Sequence, residues 1–190
     1  MQLVFASNNQ NKIKEIQLLL PDSIQVLSLS AIGCFEEIHE TAETIEGNAI
    51  LKANYVTEKF GYNCFADDTG LEVEALNGEP GVFSARYAGE QKDSNDNMDK
   101  LLLNLNDETN RSAQFKTVIA LNLNGSQTLF TGIIKGKIIG EKIGTNGFGY
   151  DPIFVADDYI KTFAELTIEE KSKISHRGLA VKQLVDFLSR

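Results

Sequence analysis

The chain has 190 residues, 42% of them hydrophobic and 24% charged, with a formal net charge of −9 and two cysteines. Such a chain builds one domain with a sizeable core, or at most two fused lobes, and it has neither a disordered nor a coiled-coil composition. The acidic balance argues against a broad nucleic-acid surface, no apolar run nears the roughly 20 residues of a membrane helix, and no basic cleavable signal opens the chain, so a soluble, cytoplasmic protein is expected.

The elements follow in order. Leu3 to Ala6 read as a strand, and from about Asn9 the residues Ile13, Ile16 and Leu20 recur at helical spacing until Pro21. Cys34 and Cys64 have no metal-ligand spacing and read as small buried residues. A second helix is expected from about Thr44 to Phe60, with Ile45, Ala49, Ala53 and Val56 inward and Asn48 and Lys52 sharing another face; Gly61 closes it. Cys64 to Ala66 predict a short strand broken by the turn-forming DDTG, with a half-exposed strand resuming over Leu71 to Ala75, so that Asp67 and Asp68 sit at a bend.

Loop signals fill 77–90, and Met98, Leu101, Leu102 and Leu105 mark a third helix. Residues 113–123 keep a two-residue period, and Asn124-Gly125 turns the chain into a second long strand near 128–139, which makes an all-parallel sheet improbable. A glycine-rich loop, GTNGFGY, precedes Asp151-Pro152 and the apolar Ile153 to Val155. The chain closes with a helix whose inner face is Val181, Leu184, Val185 and Leu188. One α/β domain with mixed strands is the simplest architecture.

Four clusters carry chemistry. In SNNQNK, Ser7 to Lys12, a serine or asparagine can simply cap the helix; alternatively the helix N-terminus and Lys12 bind an anion, although the ATPase pattern GxxxxGK[ST] is absent. Adjacent Asp67 and Asp68 raise each other's pKa unless a cation intervenes, and their hard oxygens suit Mg²⁺, with either aspartate holding the metal or orienting water. Glu40, in the acidic run 36–47, joins them only if folding brings it close, and His39 reads as a surface residue. Lys171, His176 and Arg177 flank a helix start expected to be capped by Ser175. Together these parts suit a nucleoside triphosphate with Mg²⁺.

The blocks FASNNQNKIKEI, ETAETIEGNAILKA, FADDTGLEVEALNGEPGVFSARYAG, GTNGFGYDPIF and AELTIEEKSKISHRGLA, in this order, resemble the Ham1/RdgB-type inosine triphosphate pyrophosphatases. The resemblance covers nearly the whole chain, as a single domain over residues 1–190. It implies an α/β fold with a long curved mixed β-sheet, flanking helices, two lobes with the active-site cleft between them, and a homodimer. It further implies Mg²⁺-dependent hydrolysis of ITP, dITP and XTP, noncanonical purine nucleoside triphosphates, to the monophosphate and pyrophosphate.

Position by position, the resemblance assigns Ser7, Asn8, Asn9, Gln10, Asn11 and Lys12 to the triphosphate loop and Lys52 to the phosphates. Asp68 matches the general base and metal ligand, and Thr69 a substrate contact. Glu40 matches the second metal carboxylate, with an offset to Glu37 left open. Phe148 is implied to stack on the base with Gly149, Tyr150 and Asp151 along its edge, and Lys171, His176 and Arg177 are implied around base and phosphates. Gly47 departs from the pattern, since many members carry Glu there. A Maf-like pyrophosphatase for pyrimidine nucleotides and a nucleotide sensor without turnover are the competing readings; the GFGYDPIF and SHR blocks oppose the first, and retention of both aspartates opposes the second.

Overall fold

A computed structural model describes residues 1–189. The first apolar run forms β1 (Gln2–Phe5), and the chain then enters α1 (Gln10–Leu19). Asn9 caps α1 by accepting from the N–H groups of Asn11 and Lys12 at 3.0 and 3.2 Å, while Pro21 stands just past its end. After the short β2 (Gln25–Leu27) comes α2 (Ile45–Phe60), capped by Thr44 and stopped by Gly61 at φ 75°.

The expected break at DDTG does not occur. Residues Cys64–Val73 form one strand, β3, buried along nearly its whole length. Turn propensity loses here because every polar side chain that the strand buries finds a partner (described below), so the extended path leaves no unsatisfied carboxylate. The strand resumed over Leu71 to Ala75 accordingly ends at Val73, and residues Glu74–Leu76 form a 3₁₀ turn.

The minor strand β4 (Pro80–Gly81) and α3 (Ser94–Asn104) follow. The two long strands are β5 (Ser112–Leu123) and β6 (Ser126–Ile138), joined by Asn124-Gly125 with both φ values positive, 51° and 80°, the signature of a type I′ turn. Then come β7 (Phe154–Ala156), α4 (Ile168–Ile174) and α5 (His176–Leu188). Where a single closing helix is expected there are two: Thr167 and Glu170 form a capping box that starts α4, and Ser175 both ends α4 and immediately precedes α5, the expected place at a helix entrance. The fold class is α/β: a mixed seven-stranded sheet of order β2-β1-β3-β5-β6-β7, with β4 beside β3. β1 runs parallel to β2 and β3, whereas β4 and β7 run antiparallel to β3 and β6.

Two compact units share the chain. The first comprises Met1–Asp68, Thr117–Gly132 and the chain from Arg177 onward. Its core gathers Leu3, Phe5, Phe65, Ile119 and Leu121 under Ile16 of α1 and Ala180, Val181 and Leu184 of α5; the Phe5 and Phe65 rings stack at 4.9 Å. The second comprises Thr69–Lys116 and Ile133–His176. Its core contains Leu71, Met98, Leu101, Phe115, Ile153, Phe154 and Phe163. Cys34 and Cys64 are buried free thiols, and burial pushes the Cys64 thiol up to about 12. Among the described residues no helix is long and apolar enough to cross a membrane.

Candidate active site

Successive residues of a strand point to opposite faces, and in β3 this separates the two aspartates. Asp67 meets the helices that flank one face. Lys12 Nζ of α1 donates to its Oδ1 at 3.0 Å, and Arg177 Nε of α5 donates to its Oδ2 at 3.1 Å. Arg177 also donates through an Nη to Glu15 of α1. Asp67, Glu15 and Arg177 are all buried, Arg177 to 1% exposure, so these charges are satisfied internally. Burial alone would raise the Asp67 carboxyl, but Lys12, Arg177 and Lys52 outweigh it and hold the group well below the usual carboxylate range.

Asp68 meets α2. Its Oδ2 accepts from Asn48 Nδ2 at 3.2 Å, and its Oδ1 lies 4.0 Å from Lys52 Nζ. Lys52 in turn donates to the Asp67 carbonyl at 2.7 Å and to the carboxylate of Glu40. Folding therefore brings Glu40 beside the aspartates' lysine, while Glu36 of the same acidic run bonds Tyr55 and Lys59, and Glu37 and His39 are exposed. Burial lowers the Lys52 pKa, yet Asp68, Glu40 and Asp67 together raise it above its ordinary value. Glu40 moves the other way: burial opposes ionisation, and Lys52 overcomes it and lowers the carboxyl.

The opening polar stretch is part cap and part cluster. Asn9 and Ser7 accept backbone N–H groups of the turn, which is the capping role. Asn8, Gln10 and Asn11 are exposed, whereas Lys12 is directed at Asp67 instead of standing in solvent; burial lowers its pKa, opposed by Asp67.

Within the second unit a different set assembles. Phe148 sits in the glycine-rich loop, and its backbone N–H donates to Asp151 Oδ2 at 2.8 Å. The same oxygen accepts from Lys171 Nζ at 2.5 Å, with both side chains almost fully buried. The ammonium lies 4.8 Å from the centroid of the Phe148 ring, a cation–π contact. Gly147 makes this possible: a Cβ there would stand 2.0 Å from Asp151 Oδ2, and its φ is +72°. Gly149 also has positive φ, 64°, and Tyr150 is buried with its hydroxyl donating to the Ser84 carbonyl at 2.8 Å. His176 stacks on Phe115 at 4.6 Å and is 3% exposed. Thr69 is half-buried at the start of this unit.

The resemblance gathers Lys171, His176 and Arg177 around base and phosphates. Lys171 does accompany Phe148 and Asp151, but the Arg177 guanidinium spans Asp67 and Glu15. Lys171 lies in the last turn of α4, five residues before α5 begins at His176, so the three residues do flank a helix start. Sequence reasoning missed Glu15, Asn48 as a partner of Asp68, and Gly147. The first two had a signal in their positions, one turn of helix from Lys12 and Lys52 respectively.

Among the described residues no group of three or more His, Cys, Asp or Glu side chains is arranged to hold a metal. Glu40 and Asp68 nonetheless offer hard oxygen donors beside the same lysine. That pair fits Mg²⁺, which is commonly bound by one or two carboxylates together with substrate phosphates and retained water, without a protein cage.

Comparison with known proteins gives a consistent picture. Residues 3–187 match the model of the Ham1 family. A dITP/XTP pyrophosphatase of Flavobacterium psychrophilum is 71% identical over 187 residues, covering 98% of both chains. One of Christiangramia forsetii is 57% identical over 190 residues, covering the whole of both. The solved structure of the Staphylococcus aureus Ham1 protein has a TM-score of 0.91 at 44% identity, covering 100% of this chain and 98% of that one.

Proposed function

This chain belongs to the Ham1 family, and from that premise we propose that it is a nucleoside triphosphate pyrophosphohydrolase that clears dITP, XTP and ITP from the nucleotide pool. The reaction gives the monophosphate and pyrophosphate. The whole chain acts as one Ham1-type domain, since the family match runs through both units. It works as a homodimer in the cytoplasm, where the free nucleotide pool is, with neither nucleic acid nor membrane as a partner.

The observation that carries the reading is the convergence of Lys12, Lys52 and Arg177 on the two aspartates of β3. Lys12 and Lys52, with Ser7 to Asn11 at the α1 entrance, receive the triphosphate: ammonium groups and backbone dipoles meet the charge that grows on the departing pyrophosphate. Asp68 orients the attacking water and takes its proton, with Thr69 beside it in the strand. Glu40 and Asp68 would hold Mg²⁺, which would supply charge neutralisation and Lewis acidity when bound.

Phe148 stacks on the purine, and the Asp151 to Lys171 pair fixes the loop that carries it, with Gly149 and Tyr150 shaping the base edge. Donors from Lys171, His176 and the loop backbone meet the 6-oxo group, whereas the 6-amino group of adenine would leave them unpaired; sites built on such bonds discriminate by about 10⁴ or more. Arg177 acts through Asp67, which it holds in place.

The test is pyrophosphate release from dITP, XTP, ITP, ATP, GTP and dTTP with Mg²⁺ and with EDTA. Metal-dependent cleavage of dITP, XTP and ITP is expected, with ATP, GTP and dTTP nearly inert. Binding without release would make the protein a sensor, and a preference for dTTP would favour a Maf-like activity.

A further inference from the structure

Four residues of α2 that fall on one helical face, Asn48, Lys52, Tyr55 and Lys59, hold the acidic loop of residues 36–44. Tyr55 and Lys59 both reach Glu36, at 2.6 and 2.5 Å. Lys52 takes Glu40. Asn48, fully buried, uses both ends of its amide: Oδ1 accepts from the backbone N–H of Ala42 at 2.9 Å, and Nδ2 donates to Asp68 Oδ2 at 3.2 Å. One side chain thus bonds the loop two residues from Glu40 and the strand carboxylate itself.

The preceding residue makes this approach possible. Gly47 lies in the first turn of α2, and a Cβ built on it would stand 2.7 Å from the Ala42 Cβ and 3.0 Å from Thr44 Oγ1. A methyl there forces the loop away from the helix, because a carbon pair at that separation is well inside van der Waals contact. Glycine is a poor helix former, so its presence in the turn has a cost that only close packing offsets.

We propose that Asn48 is a positioning residue for the reaction, registering Glu40 against Asp68 so that the two carboxylates are presented together, and that in this chain, which carries the Ala42 methyl, Gly47 is the clearance this requires. The inference rests on the assignment of Glu40 and Asp68 as the carboxylates that take Mg²⁺. An amide suits the role because it is at once donor and acceptor; a carboxylate would repel Asp68, and an apolar residue would leave both the Ala42 N–H and Asp68 with one bond fewer.

The experiment uses the full chain as wild type, Asn48→Leu, Gly47→Ala and Gly47→Ala/Ala42→Gly, the last removing the methyl that the new one meets. Two quantities are read: the Mg²⁺ concentration for half-maximal pyrophosphate release from dITP, and amide hydrogen exchange of residues 36–44 without metal or nucleotide. Asn48→Leu and Gly47→Ala are expected to raise the half-maximal Mg²⁺ concentration about tenfold or more and to speed exchange in the loop by a similar factor. The double variant returns both toward wild type. A general loss of structure would instead speed exchange throughout the chain and would not be rescued by trimming Ala42.

If Asn48→Leu fails to fold, the Gly47→Ala pair decides alone. Unchanged Mg²⁺ dependence and unchanged loop exchange in Gly47→Ala would overturn the proposal, as would faster exchange with no change in Mg²⁺ dependence. Absence of pyrophosphate release by the wild type would be a failure of the assigned activity; loop exchange in the variants would then still show whether residues 47 and 48 hold the acidic loop.

Discussion

Arg177 Nε and Asp67 Oδ2 meet at 3.1 Å across 110 positions of sequence, both side chains at 1% exposure or less. Removing one partner of such a pair leaves an uncompensated buried charge, which costs about 3–5 kcal/mol. Arg177→Met should lower the urea midpoint accordingly. If Arg177 acts through Asp67, as proposed, the substitution should reduce turnover of dITP without altering the ratio of dITP to ATP rates; a selective gain in ATP cleavage would return Arg177 to the base.

Asp68→Asn keeps the shape of the side chain and its place beside Asn48 but removes the proton acceptor. A positioned general base contributes about 10²–10⁴-fold, and a loss in that range is expected in pyrophosphate release, with a melting temperature close to wild type. Turnover within twofold of wild type would make the assignment untenable.

The acid limb of stability follows from Asp67 and Glu40. Both carboxyls bind protons more weakly folded than unfolded, because their lysine and arginine partners outweigh burial. Their contribution is therefore complete above the ordinary carboxyl pKa values of about 4 and drains away as pH falls through the folded values. Urea midpoints should be level near pH 6–7 and decline toward pH 3. Asp67→Asn should start lower and decline less steeply, since one of the two responsible groups no longer titrates.

Phe148→Leu should act mainly on substrate affinity. Stacking of a base on an aromatic ring is worth about 1–3 kcal/mol, or roughly 5- to 150-fold, and it is present before as well as during the chemical step. KM for dITP should rise within that range while kcat changes little, as read from initial rates across substrate concentration.

Much of this was legible in the chain. The two-residue period of β5 and β6 and the Asn-Gly turn between them define the hairpin, and the caps of α1 and α2 lie where small polar residues precede apolar spacing. The path of β3 was not, because DDTG carries turn propensity locally and the partners that make it extended, Lys12, Asn48, Lys52 and Arg177, come from three separate helices. Helix α4 announces itself only through Thr167 and Glu170, a signal overshadowed by the charge of the segment. The Arg177 pairing has no local trace, since a residue beside His176 in sequence serves a carboxylate fixed by a distant strand.

The bonds made by Lys12 and Lys52 also bear on how substrate is captured. Each cation already has a carboxylate of the chain for a counter-ion. On the proposed assignment, a triphosphate would enter by ion exchange, displacing these internal anions. The chain's net charge of −9 repels it at long range. Added salt should consequently speed the encounter while weakening the bound state, so that association and dissociation both accelerate with ionic strength, the opposite of electrostatic steering on the association side.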